Sequence, residues 1–212
     1  MERLICLFIG YLFGLFQTSY LYGRLHGIDI RNYGSGNAGT TNMLRTLGTG
    51  AGIITFIGDM CKCILAVCLV KLLFQEKYPD ILTLLSIYTA AGVILGHNFP
   101  FYLGFHGGKG IAATAGLILS LHLPLTLIAL IVFTAALLTT HYVSLGSLLV
   151  YTVFMIGLVC YGQAGAFAMT QAHLNELYLI GALLTILAFW MHRGNILRLI
   201  HGEERKTYLF KR

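Results

Sequence analysis

Four glycines and one lysine fall within seven residues from Gly104 to Gly110 (GFHGGKG). Glycine lets backbone N–H groups approach a ligand closely, and Lys109 adds one mobile positive charge, so the stretch has the makings of an anion site. A helix expected from Ile111 onward would bring its first N–H groups and its positive dipole end to the same place. Gly110 stands where a Walker A loop carries the Mg-binding Ser or Thr, which disfavours nucleotide hydrolysis. The competing reading is a plain glycine-rich turn between membrane helices, with Lys109 as a topology anchor.

Three further polar stretches carry chemistry-bearing residues. Between Arg31 and Arg45 lie Ser35, Asn37, Thr40, Thr41 and Asn42, interleaved with glycines. Neutral donors on a tight backbone with a flanking arginine could hold a second phosphate or a polyol, although such a run can also be a mere loop. At His141–Ser147, Ser144 reads either as a helix N-cap or as a phosphate donor. The sequence around it lacks a nucleophile elbow and a nearby acid, so a covalent acyl-serine is disfavoured. In the tail, His192, Asn195 and Arg198 or Leu199 share a helical face; the alternative is a basic helix lying on the membrane surface. Asp59 and Lys62, three residues apart in an apolar run, are expected to face the protein interior and to pair. His97 is expected to cap or brace the glycine loop.

The elements that position these residues must lie in lipid. Of 212 residues 57% are hydrophobic and 10% charged, too few polar groups to cover a soluble globule of this size. Spans are expected at Leu4–Tyr22, Gly52–Phe74, Ile81–Leu95, Thr126–Thr140, Leu145–Tyr161 and Leu177–Met191. A short seventh, Ile111–Leu121, follows if the chain turns at His122 and Pro124. With the N-terminus outside, Arg24, Arg31, Arg45, Lys109, Arg193, Arg198, Arg205, Lys206, Lys211 and Arg212 share one face with all the polar motifs. Only Arg3, Lys71 and Lys77 fall on the other, so the motif face is expected to be cytoplasmic. The formal charge of +6 lacks the dense basic stripe that a nucleic-acid partner requires. All five cysteines sit in apolar runs and are expected to be packing residues.

Taken in order, GSGNAGTTNMLRTLG (34 to 48), GHNFPFYLGFHGGKGIAATAG (96 to 116), YVSLGS (142 to 147) and HRGNILRLIHGEE (192 to 204) resemble the signature motifs of the bacterial acyl-phosphate:glycerol-3-phosphate acyltransferase family, PlsY. The resemblance covers the whole chain, 1–212, as a single domain. It implies an all-α polytopic enzyme of about seven transmembrane helices in the bacterial cytoplasmic (inner) membrane. Such an enzyme moves a fatty acyl group from acyl phosphate to the sn-1 hydroxyl of glycerol 3-phosphate, giving lysophosphatidic acid and phosphate. By motif position, Lys109, His192 and Asn195 would be catalytic. Ser35, Arg45, Ser144, Gly107, Gly108 and Gly110 would bind substrate, with Glu204 bracing the tail. No metal or organic cofactor is implied, and the partners are the two substrates, membrane lipid and the enzyme that makes the acyl phosphate. His106, Cys63 and His141 depart from the family pattern. Against this stand two other classes, a small anion transporter and a non-enzymatic lipid-binding protein. No inverted repeat supports the first, and the second leaves Ser35–Arg45 and the glycine loop unexplained.

Overall fold

The structure, a computed structural model, describes residues 1–208; Lys211 and Arg212 of the basic face lie outside the described residues. Among these residues the secondary structure is entirely helical: α1 (Glu2–Gly14), α2 (Thr18–Leu25), α3 (Thr40–Leu47), α4 (Thr49–Phe74), α5 (Leu82–Asn98), α6 (Ile111–Leu121), α7 (Leu123–Thr140), α8 (Val143–Gln163), α9 (Gln171–Met191) and α10 (Arg193–Ile200), with three short 3-10 turns. Counting α1 with α2 as one, and α5 with its flanking 3-10 turns as Pro79–Leu103, six are long and apolar enough to cross a membrane. The expected short span is the 11-residue α6, and the chain turns at His122 with Pro124 in the first turn of α7, where its missing N–H costs nothing. Many large apolar side chains, among them Leu65, Leu72, Ile131, Ile156 and Ile186, are exposed on these helices, as lipid contact demands.

The chain forms two compact units, the first from Met1 to Leu121 and the second from His122 onward. In the first, α4 touches α1, α2, α3, α5 and α6. Helices α1 and α5 meet through small residues. A Cβ at Gly10, Gly14, Gly92 or Gly96 would strike backbone atoms of the opposite helix, so the pair approaches backbone to backbone. The four glycines fall as Gly10-xxx-Gly14 and Gly92-xxx-Gly96.

The expected first span is not one helix. It breaks between Gly14 and Thr18, and the carbonyls exposed by the break find buried donors. Gln17 Nε2 donates to the carbonyls of Gly14, Gly96 and His97 at 3.2, 3.3 and 3.0 Å, and Lys62 Nζ donates to that of Phe16 at 2.6 Å. The one local signal is Gln17 in an apolar run; the groups that meet the break, Lys62 and the last carbonyls of α5, come from α4 and α5. Beyond it, Ile30, Ala38, Met43 and Ala51 form a small core that seats the connection and α3 on α4.

In the second unit, α7 and α8 form a hairpin, with His141 in the left-handed region (φ 62°) closing α7. Helix α8 also packs on α9, and α10 turns back from the end of α9 at His192. Thr207 N–H donates to the carbonyl of His141 at 2.8 Å, and the Tyr208 ring packs on the His141 ring, which ties the tail to the α7–α8 turn.

Candidate active site

Two polar constellations emerge, one in each unit. In the first unit the glycine loop lies over the C-terminal end of α5. Gly107 N–H donates to the carbonyl of Asn98 and Gly108 N–H to that of His97, both at 3.1 Å. These two amides hold the loop down, so Gly107 and Gly108 contribute shape to the site, and the backbone donors suited to an anion are those at the start of α6. Gly110, at φ 81°, makes the turn into that helix, and its carbonyl accepts from Thr114 N–H at 2.8 Å and Thr114 Oγ1 at 2.9 Å. The first N–H groups of α6 have no carbonyl one turn back within the helix, and Lys109, half-buried, stands beside them.

The Ser35–Arg45 segment docks on this loop: Ala38 N–H donates to the carbonyl of Gly107 at 3.4 Å. Asn42, which the sequence placed among the candidate donors, is consumed internally. Its Oδ1 accepts from Ser35 N–H at 3.0 Å, while its Nδ2 donates to the carbonyls of Ile30 and Tyr33 at 3.1 and 3.0 Å. Ser35 is exposed at the head of the turn so formed, and Arg45 lies half-buried on α3. The two flanking arginines therefore part ways. Arg31 pairs with Asp29 at 2.7 Å, donates to the carbonyl of Leu103 at 3.1 Å and lies over the Tyr20 ring. The Arg31 bond holds the Asp29 carboxyl below the usual carboxylate range and raises the guanidinium in turn.

Beneath the loop sit buried polar groups, among them the charged pair and the histidine singled out in the sequence. Asp59 and Lys62 pair at 2.9 Å, and Lys62 Nζ lies 2.9 Å from His97 Nδ1. Asn98 is buried against Gly110, with neither side-chain polar atom hydrogen-bonded among the described residues. An amide within an apolar run was the available signal for both Gln17 and Asn98.

In the second unit, His192 is buried at the junction of α9 and α10, and its Nδ1 lies 2.8 Å from the carbonyl of Ala188. A carbonyl only accepts, so Nδ1 carries the proton and Nε2 is the acceptor nitrogen of the neutral ring. Asn195 Nδ2 donates to Glu204 Oε1 at 2.8 Å, and Arg198 Nε donates to Glu204 Oε2 at the same distance. Glu204, buried, thus orients both polar residues of the shared α10 face. Tyr142 is the N-cap of α8, which removes the capping role from Ser144. The Ser144 hydroxyl is buried and makes no hydrogen bond among the described residues, leaving a donor and acceptor without employment there.

Residues 4–202 match the family model of glycerol-3-phosphate acyltransferase. The chain is 42% identical over 200 residues to the glycerol-3-phosphate acyltransferase of Clostridioides difficile (strain 630), covering 93% of this chain and 92% of that protein. To the glycerol-3-phosphate acyltransferase of Shouchella clausii (strain KSM-K16) it is 40% identical, with the same coverage. Its fold matches the crystal structure of PlsY, an integral membrane glycerol 3-phosphate acyltransferase, in the glycerol 3-phosphate form, with TM-score 0.82, 27% identity and coverage of 98% of this chain and 96% of that one. The lysophosphatidic acid form of that enzyme matches with TM-score 0.79 and 26% identity, covering 99% and 97%. A chain similar along its whole length, in sequence and in fold, to integral membrane enzymes of one kind is itself an integral multi-pass membrane protein, and it belongs to the glycerol-3-phosphate acyltransferase family.

Proposed function

We propose that this chain acylates the sn-1 hydroxyl of glycerol 3-phosphate with a fatty acyl group taken from acyl phosphate, releasing lysophosphatidic acid and phosphate. The observation that carries the reading is the docking of the Ser35–Arg45 segment on the glycine loop, which sets one arginine-bearing and one lysine-bearing motif side by side at a helix N-terminus. Two phosphate-bearing substrates call for that arrangement. The family match runs through both units, which supports treating the whole chain as one acyltransferase domain.

An acyl phosphate is a mixed anhydride whose leaving group is already good, so catalysis needs positioning and charge neutralisation more than a covalent nucleophile. The hydroxyl oxygen attacks the acyl carbonyl carbon, the bond from that carbon to the phosphate oxygen breaks, and phosphate departs with the electron pair. Lys109 and the first N–H groups of α6 neutralise the departing phosphate, while Gly107, Gly108 and Gly110 let the backbone come close enough to do so. Arg45 and Ser35 bind the phosphate of glycerol 3-phosphate. His192 and Asn195 orient the attacking hydroxyl, and Nε2 of His192, the acceptor nitrogen, takes its proton. The unemployed Ser144 hydroxyl donates to a substrate oxygen. The basic residues crowd the motif face, which supports a cytoplasmic site with the N-terminus outside, open to acyl phosphate from the enzyme that makes it.

The test is phosphate release by the purified protein in a lipidic medium, given palmitoyl phosphate with and without glycerol 3-phosphate, then with palmitoyl-CoA as donor. Release that depends on glycerol 3-phosphate and fails with the CoA donor is expected, together with a collapse of turnover in Lys109→Ala. Release with palmitoyl-CoA would overturn the donor assignment, and near-normal turnover in Lys109→Ala would overturn the leaving-group role.

A further inference from the structure

A buried line of polar groups connects the break in the first membrane span to the glycine loop. It begins at Asp59 and Lys62, one turn apart on α4, whose side chains are 1% and 4% exposed. Charges at this depth persist when each is fully partnered. Asp59 Oδ1 accepts from Thr18 Oγ1 at 3.0 Å, at the first residue of α2, as well as from Lys62. An ammonium has three hydrogens and no lone pair. Those of Lys62 are taken by Asp59 at 2.9 Å, the carbonyl of Phe16 at 2.6 Å and His97 Nδ1 at 2.9 Å, with the carbonyl of Gly14 farther off at 3.4 Å.

That count has a consequence for the histidine. Its Nδ1 accepts from Lys62, so the proton of the neutral ring sits on Nε2. The Nε2 edge lies against the loop: a Cβ added at Gly108 would collide with Nε2 and come within 2.8 Å of both His97 Cε1 and the carbonyl oxygen of Ala38. Residues His97 and Asn98 also supply the two carbonyls that take the Gly108 and Gly107 amides. The ring and the carbonyl of His97 therefore both meet Gly108, the carbonyl of Asn98 holds Gly107, and Lys62 grips the ring.

We propose that His97 is a positioning residue of the acyltransferase, holding the Gly107–Gly108 backbone in its phosphate-binding form with an imidazole whose orientation and tautomer are set by Lys62 and, through it, Asp59. The inference rests on the reading of this loop as the donor-phosphate site. His97 touches no substrate, and Lys62 acts through His97.

Two neutral substitutions separate the two edges of the ring. The amide of Asn reaches the place of Nδ1 and keeps the Lys62 contact, whereas that of Gln reaches the place of Nε2 and keeps the contact with the loop. In steady-state assays with palmitoyl phosphate and glycerol 3-phosphate, His97→Asn should raise KM for palmitoyl phosphate about tenfold, the effect of one lost loop contact, and leave KM for glycerol 3-phosphate within about twofold. His97→Gln should stay closer to the parent. Lys62→Met should resemble His97→Asn, and the double variant should be no worse than His97→Asn alone, since residues acting in series are not additive.

Equal changes in both KM values, additivity in the double variant, or a lower unfolding temperature with unchanged kinetics in His97→Asn would overturn the proposal. If Lys62→Met does not fold, the Asn and Gln pair at position 97 still decides it. Gly108→Ala, measured alongside, separates the two levels. An unchanged KM for palmitoyl phosphate in Gly108→Ala overturns the loop reading and this inference with it. A raised KM there with an unaffected His97→Asn overturns this inference alone.

Discussion

Replacing Gly92 with Ala should force the α1–α5 pair apart. The new Cβ would collide with the carbonyl oxygen of Leu7 and lie 2.7 Å from the amide nitrogen of Tyr11 and 3.0 Å from the Cα of Gly10. Backbone atoms cannot rotate out of the way, so restoring ordinary separations of about 3.5–4.0 Å requires the helices to move apart by roughly 1 Å. A gap of that size forfeits about a third of each contact of ~0.15 kcal/mol, and over ~40 atom pairs the loss is about 2 kcal/mol, within the range seen for overpacked cores. The better helix propensity of Ala returns up to about 1 kcal/mol, which leaves a net loss of about 1–2 kcal/mol. Thermal unfolding in a fixed lipid mixture should then begin some 2–8 °C lower. A thiol-reactive fluorophore provides the assay, since Cys6 and Cys63 are buried and become reactive only as the first unit opens, above a constant signal from exposed Cys68 and Cys160. Gly50→Ala is the control, because a Cβ there meets nothing within 4 Å. If Gly92→Ala unfolds with the parent and the Gly50 control, the two helices do not meet through their backbones and the small-residue argument fails.

Two other substitutions bear on the second unit. Ser144→Ala removes a buried hydroxyl that has no hydrogen bond, so the unfolding temperature should hold or rise while phosphate release falls; a variant that loses stability and keeps full turnover would show the hydroxyl to be structural. Glu204→Gln keeps the shape of the brace but weakens its bonds to Asn195 and Arg198. The Arg198 side chain is 43% exposed, so the cost in stability should stay below about 1 kcal/mol. Turnover should drop several-fold as Asn195 loosens, and kinetics equal to the parent's would remove Glu204 from the orienting role.

Much of the helical layout was legible because hydrophobic length is set by the bilayer and reads directly from composition. Helix α6 begins and ends where the glycine loop and the His122 turn place it. Helix α3 was not legible, since Thr40–Leu47 is a short run of mixed polarity and its helix forms by seating Met43 on a core that includes Ile30, Ala38 and Ala51. The site motifs were visible as clusters of residue types, but the employment of each member was not. Asn42 and Arg31 stood in a stretch that could hold a phosphate, and their side chains are taken up by backbone carbonyls and a carboxylate brought in by the fold of the connection. Ser144 offered two roles, and the position of Tyr142 at the cap removed one.

The sequence by itself determined that the chain lies in lipid, that its charged and glycine-rich residues gather in four motifs, and that a charged pair must hide inside the second span. Each follows from residue type and spacing, which govern transfer into a bilayer and the backbone shapes a segment can take. Only the tertiary structure decided where α1 breaks and which nitrogen of His97 carries the proton. Those depend on partners 35 to 80 residues away for Lys62–His97 and Gln17–His97, and hydrogen-bond direction is a property of the pair that meets.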